Sequence, residues 1–210
     1  MRKHYFFFDI DGTLAAGPIM GRYIPESTKR ALEILKSEGH FLAICTGRLH
    51  AMGEGFMHEL GFQNMVADGG NSLTLDGEFL GIKPLDTQAC IDVIEECERL
   101  GVVWAISFDD SRRRWTRYAN YDALVHDSYM ETVVDPELDY RSIECFYKVY
   151  VICSPEEEGR IASLSKVPTA RFSPYAVFVE PVDKGEGIKR CMAHLGASIE
   201  DVVVFGDGSN

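Results

Sequence analysis

Tyr5-Phe6-Phe7-Phe8-Asp9-Ile10-Asp11-Gly12-Thr13 is the stretch on which the reading of this chain turns. Four consecutive apolar residues bounded by polar ones read as a buried strand. Two carboxylates follow at once. Residues i and i+2 of an extended segment point to the same side, so Asp9 and Asp11 would crowd each other. Two carboxylates that close together must share a proton or take up a cation. Such a pair makes a poor core and a good division of labour, one carboxylate attacking while the other carries a proton. The same residues also suit an exposed Asp-x-Asp-Gly turn. Gly12 frees the backbone to bend sharply, and Thr13 adds a donor.

Working outward, the pattern repeats. Pro25-Glu26-Ser27 opens a helix whose Ala31, Leu32, Ile34 and Leu35 recur at helical spacing, and Gly39 ends it. Phe41 to Cys45 reads as a second buried strand, with Thr46-Gly47-Arg48 directly behind it. A helix is expected over 50–60, stopped by Gly61, and a third strand near Met65-Val66-Ala67. Leu73-Thr74-Leu75 and Glu78-Phe79-Leu80 flank Asp76-Gly77, a hairpin signal, because Asp-Gly supplies the positive φ a tight turn needs.

The rhythm changes after Pro84. The sequence predicts a helix at 86–100, a strand at 102–108, an irregular Arg/Trp stretch and a long strand at 143–153. A helix after Pro155 and strands near 170–180 follow. From Lys184 the first rhythm returns, with a helix at 186–195, a strand Val202-Val203-Val204-Phe205, and Gly206-Asp207-Gly208-Ser209-Asn210 behind it. Alternating strands and helices argue for an α/β fold with a mostly parallel sheet. The first lobe is then split over 1–83 and 181–210, with a second lobe, 84–180, inserted.

In open parallel sheets, ligands bind beyond the carboxyl ends of the strands. Asp9/Asp11, Thr46 and Asp207 each follow a strand, so they would converge on one crevice. Asp207 between two glycines is a hard oxygen ligand suited to Mg²⁺, or a simple turn. Thr46 is ordinary for a strand end by itself. Lys184 is by default a solvated lysine. Near three aspartates its ammonium would offset carboxylate and phosphate charge.

Bulk properties narrow the field. The chain has 210 residues, 46% of them hydrophobic, enough for two lobes with real cores. A net charge of −12 opposes binding to nucleic acid or an anionic membrane surface. The apolar run at 5–8 is too short for a signal peptide, and no segment approaches the roughly 18 apolar residues of a membrane span. A soluble, cytoplasmic protein is expected. The 6 cysteines form no CxxC and sit in apolar stretches, as reduced core thiols do.

These pieces, in this order, resemble the haloacid dehalogenase-like hydrolase superfamily. Asp9-Ile10-Asp11-Gly12-Thr13 looks like its first motif, Thr46 its second, Lys184 its third, and Gly206-Asp207-Gly208-Ser209-Asn210 the start of its fourth. The inserted lobe resembles the large α/β cap of the Cof-type branch, many of whose members hydrolyse sugar phosphates and other small phosphate esters. The resemblance implies a three-layer Rossmann-like core and a Mg²⁺-dependent phosphatase acting on a small phosphorylated metabolite. Asp9 would be the nucleophile, forming an aspartyl-phosphate. Asp11 would protonate the leaving alcohol and then activate water. Thr46 and Lys184, with Gly47 and Asn210 beside them, would hold the phosphoryl group. Asp9, Asp207 and the backbone carbonyl of Asp11 would hold the metal.

Related dehalogenases lack an acid at the position of Asp11 and related transport ATPases carry Thr there, so phosphatase or phosphomutase fits better. Family members usually continue past Asn210 with an Asp and further strand and helix, so the chain is expected to be truncated within the fourth motif. A truncated chain could also bind Mg²⁺ and phosphate without turnover. Asp68-Gly69-Gly70-Asn71 lies where many Cof-type members carry an Asn-Gly pair. Arg48, close behind Thr46, is a candidate substrate contact. So are Arg113 and Trp115 in the basic run 112–115, which would bind a second anion or stack on a sugar, or form a solvated strand or loop with Trp115 half-buried.

Overall fold

The computed structural model of the chain describes residues 2–18, 21–127 and 129–208. The chain divides into two compact units, Met1–Ile82 with Asp183–Asn210, and Lys83–Val182. The first begins with β1 (Tyr5–Phe8), α1 (Glu26–Ser37), β2 (Phe41–Cys45), α2 (His50–Glu59), β3 (Met65–Ala67), β4 (Ser72–Leu75) and β5 (Glu78–Ile82). The inserted unit carries α3 (Thr87–Leu100), β6 (Trp104–Ser107), β7 (Arg113–Thr116), α4 (Tyr121–Val125), β8 (Glu131–Val134), β9 (Lys148–Ile152), α5 (Pro155–Glu158), β10 (Thr169–Ser173) and β11 (Ala176–Val179). The chain then returns to the first unit through α6 (Lys184–His194) and β12 (Val202–Phe205).

The first unit's sheet has the order β12-β1-β2-β3-β4-β5. Side chains alternate across it. Phe8, Leu42, Ile44 and Met65 point to a core shared with Leu32 of α1 and Met57 of α2. Phe7, Phe41, Ala43, Cys45 and Val66 point to another shared with Ile188, Cys191 and Met192 of α6. The result is a three-layer Rossmann-like core with an inserted α/β cap. The expected mostly parallel sheet needs correction. β12, β1, β2 and β3 pair in parallel, but β3–β4 and β4–β5 are antiparallel. The sheet is mixed because β3 and β4 are joined by a short turn, whereas a parallel return needs a crossover of about a dozen residues or more.

The β4–β5 hairpin turns at Asp76 (φ 50°) and Gly77 (φ 80°), both left-handed, as a type I′ turn requires. The cap sheet runs β10-β11-β9-β6-β7-β8, with only β7–β8 parallel. One face packs on α3 through Cys90, Val93, Ile94 and Cys97. The Arg/Trp stretch expected to be irregular is strand β7, and the long strand expected at 143–153 is confined to β9. Among the described residues, no helix is long and apolar enough to cross a membrane.

Candidate active site

The crevice lies at the carboxyl ends of β12, β1 and β2. The Asp9 N–H donates to the carbonyl of Phe205, which extends the β1–β12 ladder by one residue. The chain then coils back on itself, with the N–H of Leu14 on the Asp9 carbonyl and that of Ala15 on the Ile10 carbonyl. The Asp9 carboxylate accepts from the Ile10 N–H (2.8 Å). Its other oxygen lies 3.1 Å from Lys184 Nζ, and both side chains are nearly buried, at 13% and 10% exposure. Asp183 caps α6 by accepting from the Glu186 N–H, so Lys184 leaves the first turn of the helix.

Gly12 is required by its surroundings. Its φ is +79°, and a Cβ there would lie 2.3 Å from Asp207 Oδ2. A Cβ on Gly206 would lie 3.8 Å from the Asp9 Cβ, an ordinary contact. The β12 loop therefore brings Asp207 against the Asp9–Gly12 turn.

Thr46 is buried. Its N–H donates to the Val66 carbonyl, and its hydroxyl accepts from the Arg48 N–H (3.1 Å). Next to it, burial pushes the Cys45 thiol up to about 12, with the charge of Lys184 opposing and that of Asp9 adding. β2, Asp9 and Lys184 thus share one electrostatic neighbourhood. At Gly47 an added Cβ would meet nothing within 4 Å, so packing does not demand glycine there.

Asp11 is held differently from Asp9. Arg48 grips it with two bonds, Nε to Oδ2 and Nη2 to Oδ1, both 2.7 Å. Arg22 adds an ion pair from Nε to Oδ1 at 2.6 Å. Burial would raise the Asp11 carboxyl, but the hydrogen bonds and charge of Arg48, with Arg22 and Lys184, hold it below its ordinary value. The expected metal set, Asp9, Asp207 and the backbone carbonyl of Asp11, asks nothing of the Asp11 side chain. The Asp11 side chain is occupied by arginines, and among the described residues no group of three or more His, Cys, Asp or Glu side chains is placed to hold a metal.

Arg113 and Trp115 lie on β7 of the inserted unit. Trp115 packs on Phe108 (4.4 Å between rings), with Arg113 over its face. Arg114 between them is fully buried and paired with Asp127 at 2.7 Å. Asn210 lies outside the described residues. Arg22 was not singled out by the sequence. The only signal was a cation 11 residues downstream of Asp11.

Residues 6–210 match the haloacid dehalogenase-like hydrolase family, and the chain belongs to it. It is accordingly a phosphoric monoester hydrolase, working by the family's phosphoryl transfer through an aspartyl-phosphate. YkrA of Bacillus subtilis (strain 168), provisionally assigned as a phosphatase, is 25% identical over 219 residues, covering 100% of this chain and 81% of that protein. A hypothetical protein from Geobacillus kaustophilus HTA426 superimposes with a TM-score of 0.81 at 28% identity, covering 99% of this chain and 81% of that one. The subclass IIB sugar phosphatase BT4131 superimposes with a TM-score of 0.74 at 22% identity, covering 98% and 81%, a likeness of fold.

Proposed function

We propose that this chain is a Mg²⁺-dependent phosphatase of the Cof-type branch that hydrolyses small phosphate esters, sugar phosphates among them. The observation that carries this reading is the close pairing of Lys184 with Asp9 at 3.1 Å, in a nearly buried crevice. A lysine there neutralises a nucleophilic carboxylate's repulsion toward a phosphate dianion. Fold likeness to a sugar phosphatase supports the substrate class by analogy only.

Asp9 attacks phosphorus with a carboxylate oxygen, and the bond from phosphorus to the leaving alcohol breaks. Asp11 delivers a proton to that alcohol. Asp11 then takes a proton from water, water oxygen attacks phosphorus, and Asp9 is regenerated with release of inorganic phosphate. Thr46 and Lys184 hold the phosphoryl oxygens throughout, and Gly47 and Asn210 are assigned to the same phosphoryl group. For Asp11 to carry a proton, Arg22 and Arg48 must transfer part of their grip to the anionic substrate. That makes Arg48 a substrate contact as well as a partner of Asp11. Arg113, the exposed cation of β7, with Trp115 beneath it, is assigned to a second polar group of the ester.

The donors at the mouth fit a hard divalent cation. Asp9, Asp207 and the Asp11 carbonyl offer oxygen only, the ligand type Mg²⁺ takes alongside waters and substrate phosphate. When bound, Mg²⁺ supplies positive charge to the phosphoryl oxygens. Phosphate release from a panel of esters tests the reading. Asp9→Asn should abolish turnover with the fold intact, and equal turnover by that variant would exclude Asp9 as nucleophile.

A further inference from the structure

Thr46 and Lys184 come from distant parts of the first unit, and holding one phosphoryl group requires a fixed spacing between them. The turn at 68–71 bridges them through its backbone. On one side, the Asp68 N–H donates to the Arg48 carbonyl (2.8 Å) and the Gly69 N–H to the Thr46 carbonyl (3.3 Å). On the other side the turn lies directly on α6. A Cβ on Gly70 (φ +110°) would sit 2.3 Å from the Asp183 carbonyl oxygen. A Cβ on Gly187 would sit 2.7 Å from Gly70 Cα, 2.8 Å from its oxygen and 2.5 Å from Val66 Cγ1. Arg190, farther along α6, donates from Nη1 to the carbonyls of Gly70 (3.1 Å) and Asn71 (3.3 Å). The two backbones touch, and a guanidinium locks them.

We propose that Gly70, Gly187 and Arg190 are positioning residues that set where Lys184 stands relative to Thr46. None of them needs to meet the substrate. Lys184 begins the helix that Gly187 and Arg190 dock, and Thr46 lies at the other end of the bridge. A tilt of α6 would draw the ammonium away from Asp9 and from the phosphoryl oxygens together. The roles of Thr46 and Lys184 in this inference rest on the phosphatase reading.

The test uses the full chain with Arg190→Gln, Arg190→Lys and Gly187→Ala. Three quantities are measured: turnover of p-nitrophenyl phosphate, affinity for inorganic phosphate by calorimetry, and the thermal unfolding midpoint. Arg190→Gln should lose about tenfold in kcat/KM, the order expected when a reacting geometry slips by a fraction of an ångström. Phosphate affinity should fall with it while the unfolding midpoint stays close to wild type. Arg190→Lys should recover part of both losses. Gly187→Ala should lose more, and adding Val66→Ala should not restore it, because the Gly70 backbone still stands in the way. Unchanged kcat/KM and phosphate affinity in Arg190→Gln would overturn the proposal. So would a loss that merely tracks the unfolded fraction. A wild-type chain that binds phosphate but releases none from any ester would sink the phosphatase reading instead, and phosphate affinity alone would then decide the positioning claim.

Discussion

Replacing Gly12 with alanine applies two separable stresses. The first is conformational. Gly12 has φ +79°, and an L-residue in the left-handed region costs about 1–2 kcal/mol. For a chain of this size that lowers the unfolding midpoint by roughly 2–8 °C. The second is local. The new Cβ would lie 2.3 Å from Asp207 Oδ2 and 2.8 Å from its Cγ. Ordinary contact would require the carboxylate to retreat by about 1 Å, and displacements of that size cost on the order of a hundredfold when they fall on a catalytic group. Phosphate release titrated against Mg²⁺, alongside a thermal melt, separates the two. The expected result is a modest loss of stability, a rightward shift of the Mg²⁺ curve and a fall in kcat/KM of about a hundredfold. A variant that melts lower but keeps the wild-type Mg²⁺ response would refute the assignment of Asp207 to the metal.

Arg48→Gln removes the fork on Asp11, so the Asp11 carboxyl should titrate at higher pH, readable by carboxyl NMR. In the wild type the folded value lies below the ordinary 3.8, so the stability this clamp contributes is present above that pH and lost as pH falls through the lowered value. Arg114→Met should destabilise the cap by about 3–5 kcal/mol in urea unfolding, because it strands the Asp127 carboxylate. Combining it with Asp127→Asn should cost less than the sum of the single changes. Burial pushes the thiols of Cys45, Cys90, Cys97 and Cys191 up to about 12. At pH 8 these four should resist iodoacetamide in the folded chain and react on unfolding, as mass spectrometry would show.

Strands with a local signature were legible in the sequence. β1 and β2 announce themselves as apolar runs, because both of their faces are covered by helices, and Asp76-Gly77 dictates its own turn. β7 was not legible. Arg-Arg-Trp-Thr reads as solvated, yet Arg114 is buried, because Asp127, thirteen residues on, neutralises it. No local rule foresees a partner at that distance. The antiparallel return of β4 was open to a simple argument, since four residues cannot make a crossover. At the site, Asp9, Thr46, Lys184 and Asp207 each follow a strand or open a helix, which is why their convergence could be expected. The grip of Arg22 and Arg48 on Asp11 could not be anticipated, since it depends on how the loop after Asp11 folds back.

The pairing of Tyr5 with Val202 has a consequence for synthesis on the ribosome. β1 is the neighbour of β12, which is made long after it. At roughly 5–20 residues per second, β1 waits some tens of seconds for its second flank, its phenylalanines bordered on one side only by β2. The inserted unit, with its own sheet and core, emerges meanwhile. Asp207 is made long after Asp9, so a nascent chain carries the attacking carboxylate well before it carries the carboxylate proposed to anchor the cation.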